Sequence, residues 1–593
     1  MEQWFIHQTK QNCSQIAACF GISPVTARLL VNRGVRSGTE LKEFLAGGDG
    51  ELPDPAQIAD TEKCCGILAE AIRGGRRIRV IGDYDVDGIT STYLYLTLLA
   101  RAGARVDYVI PDRVQDGYGM QRSMVEKAAA DGVSVILTCD TGISAAAETK
   151  LAKDLGLTML ITDHHDIPFV PGTNPVQFLL PEADAVVNPK RQDSESPDRE
   201  ICGCMVAFQM MRLLYRQLGR PVQEAEAYLP LAALATVCDV MPLSGTNRRV
   251  VARGLREMPE FRNPGLQALI RECLGEDAKL SAYHLGFVIG PCLNATGRLE
   301  TADQGVRLLS EQEPEQAAVL ARALVELNEE RKRMTLQGVK EAYALIEREH
   351  YDTDPVLVLY LPEVHESLAG IIAGRVREQY NRPSFVLTKS ENGIKGSGRS
   401  IEAYPMYDRL VECGSLLDRF GGHPMAAGLS LPAENLETLR QQLIAHAGLT
   451  DRDFIPKLSI DMELNPAVLD LSVVREMDLL EPFGNANPRP VFAVRGLPVT
   501  RASILGAKSN VLKLSLLCPG ENGGGPGRYQ AVLFGEDRID AWMKDMTARW
   551  GEEAMDELLS GGHPEVCMDL AYTPQVNSFR GRETVELKVV SWR

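Results

Sequence analysis

The 593-residue chain has no run approaching the roughly 18 uninterrupted apolar residues of a membrane-spanning helix, so no membrane partner is expected. Its start, Met1-Glu2-Gln3-Trp4-Phe5, lacks a basic segment followed by an apolar one, and no secretory leader is expected either. CxxC pairs are absent. The thirteen cysteines are odd in number and scattered, and Cys64-Cys65 and Cys202-x-Cys204 stand too close for ordinary bridges or a zinc knuckle. This pattern predicts reduced, mostly buried thiols and a cytoplasmic location. Positive charge is in deficit: 63 Lys and Arg against 80 Asp and Glu, a formal net charge of −17. Indiscriminate duplex binding is therefore disfavoured, because affinity for a phosphate backbone comes from clustered Lys and Arg. No internal repeat of solenoid length stands out.

The chain does have the composition of globular domains, 45% hydrophobic and 24% charged, over a length that predicts about three or four of them. Basic residues concentrate locally. From Arg489 to Lys513 the basic residues Arg489, Arg495, Arg501, Lys508 and Lys513 occur with no acid among them. Arg375, Arg377 and Arg382 also cluster, while Arg331, Lys332 and Arg333 read as a solvated helix face. An acidic body with local basic tracks suits a protein that grips nucleic acid in a restricted groove.

Residues 1–50 read as an N-terminal helical segment, with apolar residues at helical spacing in Gln15–Phe20 and Thr26–Val31. Apolar runs at Ile78–Ile81, Val106–Ile110, Val133–Leu137, Leu157–Ile161 and Ala185–Val187 alternate with helix-like stretches, including Ile89–Ala102 and Ser144–Leu155. That alternation predicts a parallel-sheet α/β domain over 51–255. Residues 256–350 read as a helical connector ending in a long helix, and a smaller α/β module is expected over 351–450. Short alternating strands over 456–593 fit a β-barrel, with Gly520–Gly527 as a loop.

Four segments carry acid or imidazole groups just past apolar runs: Asp83-Tyr84-Asp85-Val86-Asp87-Gly88, Asp140-Thr141-Gly142, Asp163-His164-His165 and Cys238-Asp239. In open α/β sheets ligands bind beyond the carboxyl ends of the strands, where Asp83, Asp140 and Asp163 fall. Asp83, Asp85 and Asp87 alternate, so an extended backbone would point all three to one side, with Gly88 opening the next helix. The D-x-D-x-D-G run also matches the start of an EF-hand loop, but Leu94 stands where the closing Glu belongs. Asp140 taken alone reads equally as a helix cap, and Asp239 equally as a loop acid. Two adjacent histidines at a strand end, among only nine in the chain, are poor core filler. Imidazole among several carboxylates suits two divalent cations, Mn2+ or Mg2+, more than zinc.

Together D-Y-D-V-D-G, C-D-T-G, T-D-H-H and V-C-D-V-M-P-L resemble the four motifs of the DHH phosphoesterase superfamily. The similarity spans nearly the whole chain and extends to that superfamily's single-strand-specific 5′→3′ DNA exonucleases. Asn294-Ala295-Thr296-Gly297-Arg298 resembles an N-A-x-G-R element; Gly396–Ser400, Gly421-Gly422-His423 and Ala426-Ala427-Gly428 resemble the DHH-associated (DHHA1) domain. Pro482–Pro488 resembles the start of an OB-fold barrel. Two places depart from the pattern: Val364 and Ser367 stand where many members have the Trp and Gly of W-H-x-G, and Ala486 replaces a second glycine in G-x-G-N-P.

The resemblance implies hydrolysis of single-stranded DNA to 5′-mononucleotides by two-metal catalysis, in DNA repair and recombination. It implies that Asp85 and Asp87 bind one metal each, that Asp140 bridges, and that His164 and Asp239 complete the shell. Asp83 and His165 would be accessory. Arg298 and His423 would hold the scissile phosphate, with Asn294, Gly421 and Gly422 in the substrate site. Arg113, Ser397 and Arg399 would take the 5′-terminal phosphate, since guanidinium engages phosphate oxygens bidentately. The basic residues from Arg489 to Lys513 would track backbone phosphates in the barrel. Phe483, Phe492 and Phe534 are stacking candidates there, against the commoner role of phenylalanine as core. The implied partners are single-stranded DNA, a single-strand-binding protein and a RecQ-type helicase, for a monomeric enzyme. Two alternatives stand beside this reading: a DHH phosphodiesterase acting on short oligoribonucleotides or cyclic dinucleotides, and a catalytically inactive DNA-binding scaffold. A simple pyrophosphatase is a weaker third.

Overall fold

The structure, a computed structural model, describes residues 2–35, 37–113, 116–117, 119–170, 176–276, 278–390, 393–506, 510–518, 527–562 and 564–593. The chain forms two compact units: residues 48–454, and residues 1–47 with 455–593.

In the first unit the apolar runs become the strands Arg77–Ile81, Arg105–Val109, Val135–Thr138, Thr158–Thr162 and Ala185–Val187. All pair in parallel, in the spatial order second, first, third, fourth, fifth. Helices cover both faces, so Ile78, Val80, Ile136, Leu137, Leu160 and Ile161 are fully buried and the strands read as unbroken apolar runs. The strand order reverses between Arg77–Ile81 and Val135–Thr138. A crevice opens at that switch point beyond the carboxyl ends, and the Asp83 and Asp140 loops lie there.

The expectation of an extended Asp83–Asp87 segment is corrected. The helix Val86–Arg101 already begins at Val86, and Asp85 is its N-cap, accepting from Gly88 N at 3.0 Å. Asp85 satisfies a free N–H of the first turn, which outweighs any extended preference of the acids. Asp87 therefore projects from the first helical turn rather than from a strand.

Helix Pro314–Glu349 runs for 36 residues. Its Ala317, Ala321 and Leu324 join the core around the parallel sheet, whereas Ala342 and Ile346 join the core of a second sheet. One helix thus ties two cores together. The second sheet is mixed: Leu357–Tyr360 pairs in parallel with Ser384–Ser390, followed by antiparallel Gly393–Arg399, Ala426–Leu431 and Arg419–His423.

In the other unit, strands Phe492–Leu505, Val511–Cys518, Gly527–Phe534, Arg582–Trp592 and Val566–Phe579 close a barrel, because the first also pairs with the last. Helices Glu536–Trp550 and Glu552–Ser560 interrupt the expected run of strands, and Trp542 is buried in the barrel core. The N-terminal helices Cys13–Phe20, Pro24–Asn32 and Gly38–Leu45 belong to this unit. A strand that sequence reading missed, Gln3–Ile6, pairs in parallel with Lys457–Ile460. The loop expected at Gly520–Gly527 lies outside the described residues up to Pro526, and Gly527 begins a strand. Ala486 has φ +59° in the turn closed by Gly484 N to Asn487 O at 2.9 Å. Left-handed backbone there explains why glycine suits the position.

Candidate metal centre

Each predicted ligand sits on a loop or helix end whose local structure aims it into the crevice. Asp87 accepts from the backbone N–H groups of Gly203 at 2.6 Å and Cys204 at 2.7 Å. These open helix Gly203–Gln217, whose N-terminal field favours a carboxylate. A Cβ on Gly203 would lie 2.7 Å from Asp140 Cβ, so only glycine lets this helix approach so closely. Asp140 has φ +60°, a left-handed conformation that aspartate tolerates. Asp239 caps the C-terminus of helix Leu229–Cys238. The next residue, Val240, has φ +56°, an outlier for a β-branched side chain and a mark of strain beside a functional group.

His164 Nε2 is central: it lies 3.1 Å from Asp140 Oδ1, 3.6 Å from Asp239 Oδ2 and 3.7 Å from Asp87 Oδ2. Potential ligand atoms converge in three overlapping sets: Asp83, Asp85 and Asp140; Asp87, His164 and Asp239; and Asp140, His164 and His165. Asp83 Oδ1, Asp140 Oδ1, Asp239 Oδ2 and His164 Nε2 are buried without a hydrogen-bond partner. Orphaned buried polar atoms demand an explanation, and divalent cations in these overlapping sets would satisfy them. An oxygen-rich set with imidazole fits Mn2+ or Mg2+.

The electrostatics agree. Burial, then repulsion from neighbouring acids, raises Asp87 to about 6 and Asp239 to about 9, and holds Asp83 and Asp140 well above the usual carboxylate range. Burial and the adjacent His165 charge lower His164 to about 3, leaving it the neutral imidazole that ligation needs. Burial opposes charge on His165 as well, but its Nδ1 lies 2.7 Å from Asp163 Oδ1, and that carboxylate raises the ring to about 9. Asp163 is itself buried, yet His165 and backbone donors hold it down to about 2. It accepts from Ile143 N at 2.9 Å and His164 N at 2.7 Å. Asp163 is thus a positioning residue; the sequence places it in a motif at a strand end but assigns it no role, and its place directly before two histidines was the available signal. The backbone donors of Gly203 and Cys204 were also missed.

Arginines gather beside the acids. Arg298 Nη1 donates to Ser367 O at 2.9 Å, and Asn294 Oδ1 accepts from Val86 N at 3.2 Å, fastening their helix Gly290–Leu299 to the Asp85 loop. A Cβ on Gly297 would come within 2.4 Å of Tyr84 O. Ser367, one of the two departures, is buried and receives Arg298 through its carbonyl, a contact the side chain leaves intact. Burial, then repulsion from Arg113 and Arg331, lowers Arg298 to about 9. Arg399 is lowered by burial and by Arg113 and Arg377. Arg113 lies over the Tyr84 ring at 4.8 Å. Cations held together against mutual repulsion make a receptor for an anion. Arg331 corrects the solvated-face reading: it is half-buried and bonds Asn328 Oδ1 at 3.0 Å, whereas exposed Lys332 and Arg333 pair with Glu329 and Glu330.

Arg113 and Ser397 line a cleft of about 1010 Å³ with His165, Gly421, Gly422 and His423. His423 is exposed, with Nδ1 3.9 Å from Asp166 Oδ2. In the barrel unit, Arg489 and Arg495 are exposed and lie 4.0 Å from Glu481 and 3.4 Å from Glu463. Arg501 is exposed, Lys513 half-buried, and Lys508 lies outside the described residues. Phe492 is core; Phe483 is half-buried beneath Arg489 and Phe534 is exposed.

Family models match three regions: the DHH family N-terminal domain over residues 77–236, the DHHA1 domain over 353–447 and the RecJ OB domain over 460–591. The single-stranded-DNA-specific exonuclease RecJ of Bacillus subtilis is 34% identical over 91% of this chain and 69% of its own length. The protein of that name from Escherichia coli is 33% identical over 95% of each. The crystal structure of RecJ with Mn2+ from Thermus thermophilus superposes with a TM-score of 0.81 at 27% identity, covering all of this chain and 79% of that one. The same protein has also been crystallised with Mg2+ (TM-score 0.75, 25% identity, all of this chain and 78% of that one).

Proposed function

The chain belongs to the RecJ family of single-stranded-DNA-specific exonucleases, and from this premise we propose that it removes 5′-mononucleotides from the 5′ end of single strands. One observation carries the reading: buried, unpartnered carboxylate and imidazole atoms stand beside a cluster of arginines at the end of a cleft. Two divalent cations, Mn2+ or Mg2+ as in the crystallised relative, are the group that fits, held by Asp85, Asp87, Asp140, His164 and Asp239 with Asp83 accessory. Such ions supply Lewis acidity at phosphorus and a lowered pKa for the attacking water.

The chain's own residues do the rest. Asp163 orients His165 and keeps the proton on its Nδ1, so the ring enters the cleft in one orientation. Arg298, with one guanidinium nitrogen bound to Ser367 O, keeps its remaining donors for the scissile phosphate, and His423, which lines the cleft, joins it there. Arg113, Ser397 and Arg399 bind the 5′-terminal phosphate, and this contact sets polarity. The basic residues Arg489, Arg495, Arg501, Lys508 and Lys513 guide the strand. A cleft for one strand requires an opened duplex, which supports a helicase and a single-strand-binding protein as partners in repair and recombination. Among the described residues no single helix is long and apolar enough to cross a membrane. Free thiols at all thirteen cysteines support a cytoplasmic site.

The test uses single strands labelled at the 5′ or the 3′ end, and a blunt duplex, each with Mn2+. Release of labelled mononucleotide first from the 5′ end of single strands alone is expected. Asp140→Ala should lower that rate by at least about a thousandfold, since it removes a ligand shared between ligand sets. Preference for dinucleotides over long strands, or attack from the 3′ end, would overturn the reading.

A further inference from the structure

The helix that carries Asn294 and Arg298 has an unusual beginning. A first turn, Ala282–His284, passes into a π-helical turn, Leu285–Ile289, before regular helix resumes at Gly290. A π turn inserts an extra residue and rotates the faces before and after it, a device concentrated at functional sites. Tyr283 and Phe287 lie on the outer side. Their rings stack with centroids 5.2 Å apart and planes inclined by 22°, yet they remain 60% and 70% exposed. Single exposed apolar side chains are ordinary. A stacked pair this exposed, with only the His284 ring meeting Tyr283 edge-on at 5.9 Å, is different, because it presents flat apolar surface of the size of a nucleobase.

Its position is equally specific. The π turn is fastened to the segment that carries Asp239: Cys238 Sγ donates to Leu285 O at 3.5 Å, and a Cβ on Gly286 would lie 3.1 Å from Val237 Cγ1. Val240, which follows Asp239 directly, is itself 65% exposed. The ligand groups have two flanks. Asp83 and Asp85 gather with Asp140 in the field of Arg113 and Arg298, while Asp239, next to the Cys238 that bonds the π turn, gathers with Asp87 and His164.

We propose that Tyr283 and Phe287 form a stacking platform for bases of the single strand on the 3′ side of the scissile phosphate. The proposal rests on the exonuclease reading above. With the terminal phosphate on the Arg113 flank and the scissile phosphate at the carboxylates, the remaining strand leaves past the Asp239 flank, where the platform stands. Stacking accepts every base, since each has a π face, so the platform grips polymer without reading sequence. It also favours long strands over dinucleotides, which end before reaching it.

The test compares the full-length protein with the double variant Tyr283→Ala/Phe287→Ala on single strands of graded length in Mn2+. KM for a long strand should rise about tenfold, the equivalent of roughly 1.4 kcal/mol of stacking. The loss should shrink as the strand shortens and be smallest for a dinucleotide, and Phe287→Trp should retain tight binding. A 2-aminopurine base a few nucleotides from the 5′ end should be quenched by the intact protein without divalent cation and recover in the double variant. Tyr283→Leu/Phe287→Leu keeps apolar bulk without a planar face and should show the same length-dependent loss, which separates stacking from misfolding. An unchanged KM, as expected of a surface that serves a protein partner, or an equal loss at every length, overturns the platform. Failure of the unmodified protein to shorten single strands overturns the exonuclease reading instead.

Discussion

Buried carboxylates that repel one another cost stability, and Asp83, Asp87, Asp140 and Asp239 do so within one crevice. Helix Gly203–Gln217 offsets part of that cost by donating two N–H groups to Asp87, and the arginine cluster opposes the charge from the other side. Strained backbone at Val240 belongs to the same pattern, in which the surrounding fold holds a costly local arrangement for function. Ala486 shows strain of another kind, far in sequence from any ligand. Its φ of +59° serves only to close the turn that lets Asn487 Nδ2 bond Leu480 O and Pro482 O at 2.8 Å each. Ala486→Gly should therefore raise stability by about 0.5–1 kcal/mol, the left-handed penalty of alanine less the greater unfolded-state freedom of glycine. Urea unfolding measures it; an unchanged or lowered midpoint would contradict the strain.

At the scale of elements, the parallel sheet is joined by charge as well as by apolar packing. Arg79, buried in strand Arg77–Ile81, bonds Asp107 Oδ1 of the register-matched residue at 2.7 Å and Asp131 Oδ2 at 2.9 Å. Burial opposes ionisation of Asp107, but the bonds from Arg79 and Arg77 outweigh it and hold this carboxyl below its usual value. A depressed carboxyl stabilises the fold fully above its unfolded pKa of about 4 and loses that contribution as pH falls through its folded value. Asp107→Asn should cost about 1–2 kcal/mol at neutral pH, discounted because Asp107 is partly exposed, and should flatten the loss of stability below about pH 4. Parallel urea titrations at neutral and acid pH decide this; an equal cost at both would assign the effect to packing instead. Element by element, continuous apolar runs were enough to reveal the strands. Helix Glu536–Trp550 escaped because alternation dominated the reading of that region, although Ile539, Trp542 and Met546 already stand at helical spacing.

At the scale of the whole molecule, the first 47 residues and the barrel form one unit. Val25, Leu29, Leu30 and Leu41 share a core with Phe492 and Trp542. Ser23 N and Thr26 Oγ1 bond the Glu476 carboxylate at 2.8 and 2.6 Å, and Arg33 Nε bonds Asn487 Oδ1 at 2.8 Å. Removing residues 1–47 should strip more than about 5 kcal/mol of apolar burial from this unit. Calorimetry should then show its transition lowered or lost, and limited proteolysis should cut first within 455–593. An unaltered transition would mean that the barrel stands without its N-terminal helices.

The sequence by itself determined the chemistry and the order of the elements. Acids and histidines placed just beyond apolar runs are a local pattern, because a strand must be apolar to be buried on both faces and its loop is then where polar groups can go. The matches around Asn294–Arg298 and Gly421–His423 were equally legible as short contiguous stretches. Only the tertiary structure decided which groups converge and in what role. Asp163 turned from a motif acid into the partner that orients His165, Asp85 became a helix cap, and the N-terminal segment joined a barrel more than 400 residues away in sequence. Tyr283 and Phe287 carried no motif at all. Their meaning arose from a π turn fastened beside Asp239, and such long-range contacts depend on how separate elements pack, which no local spacing encodes.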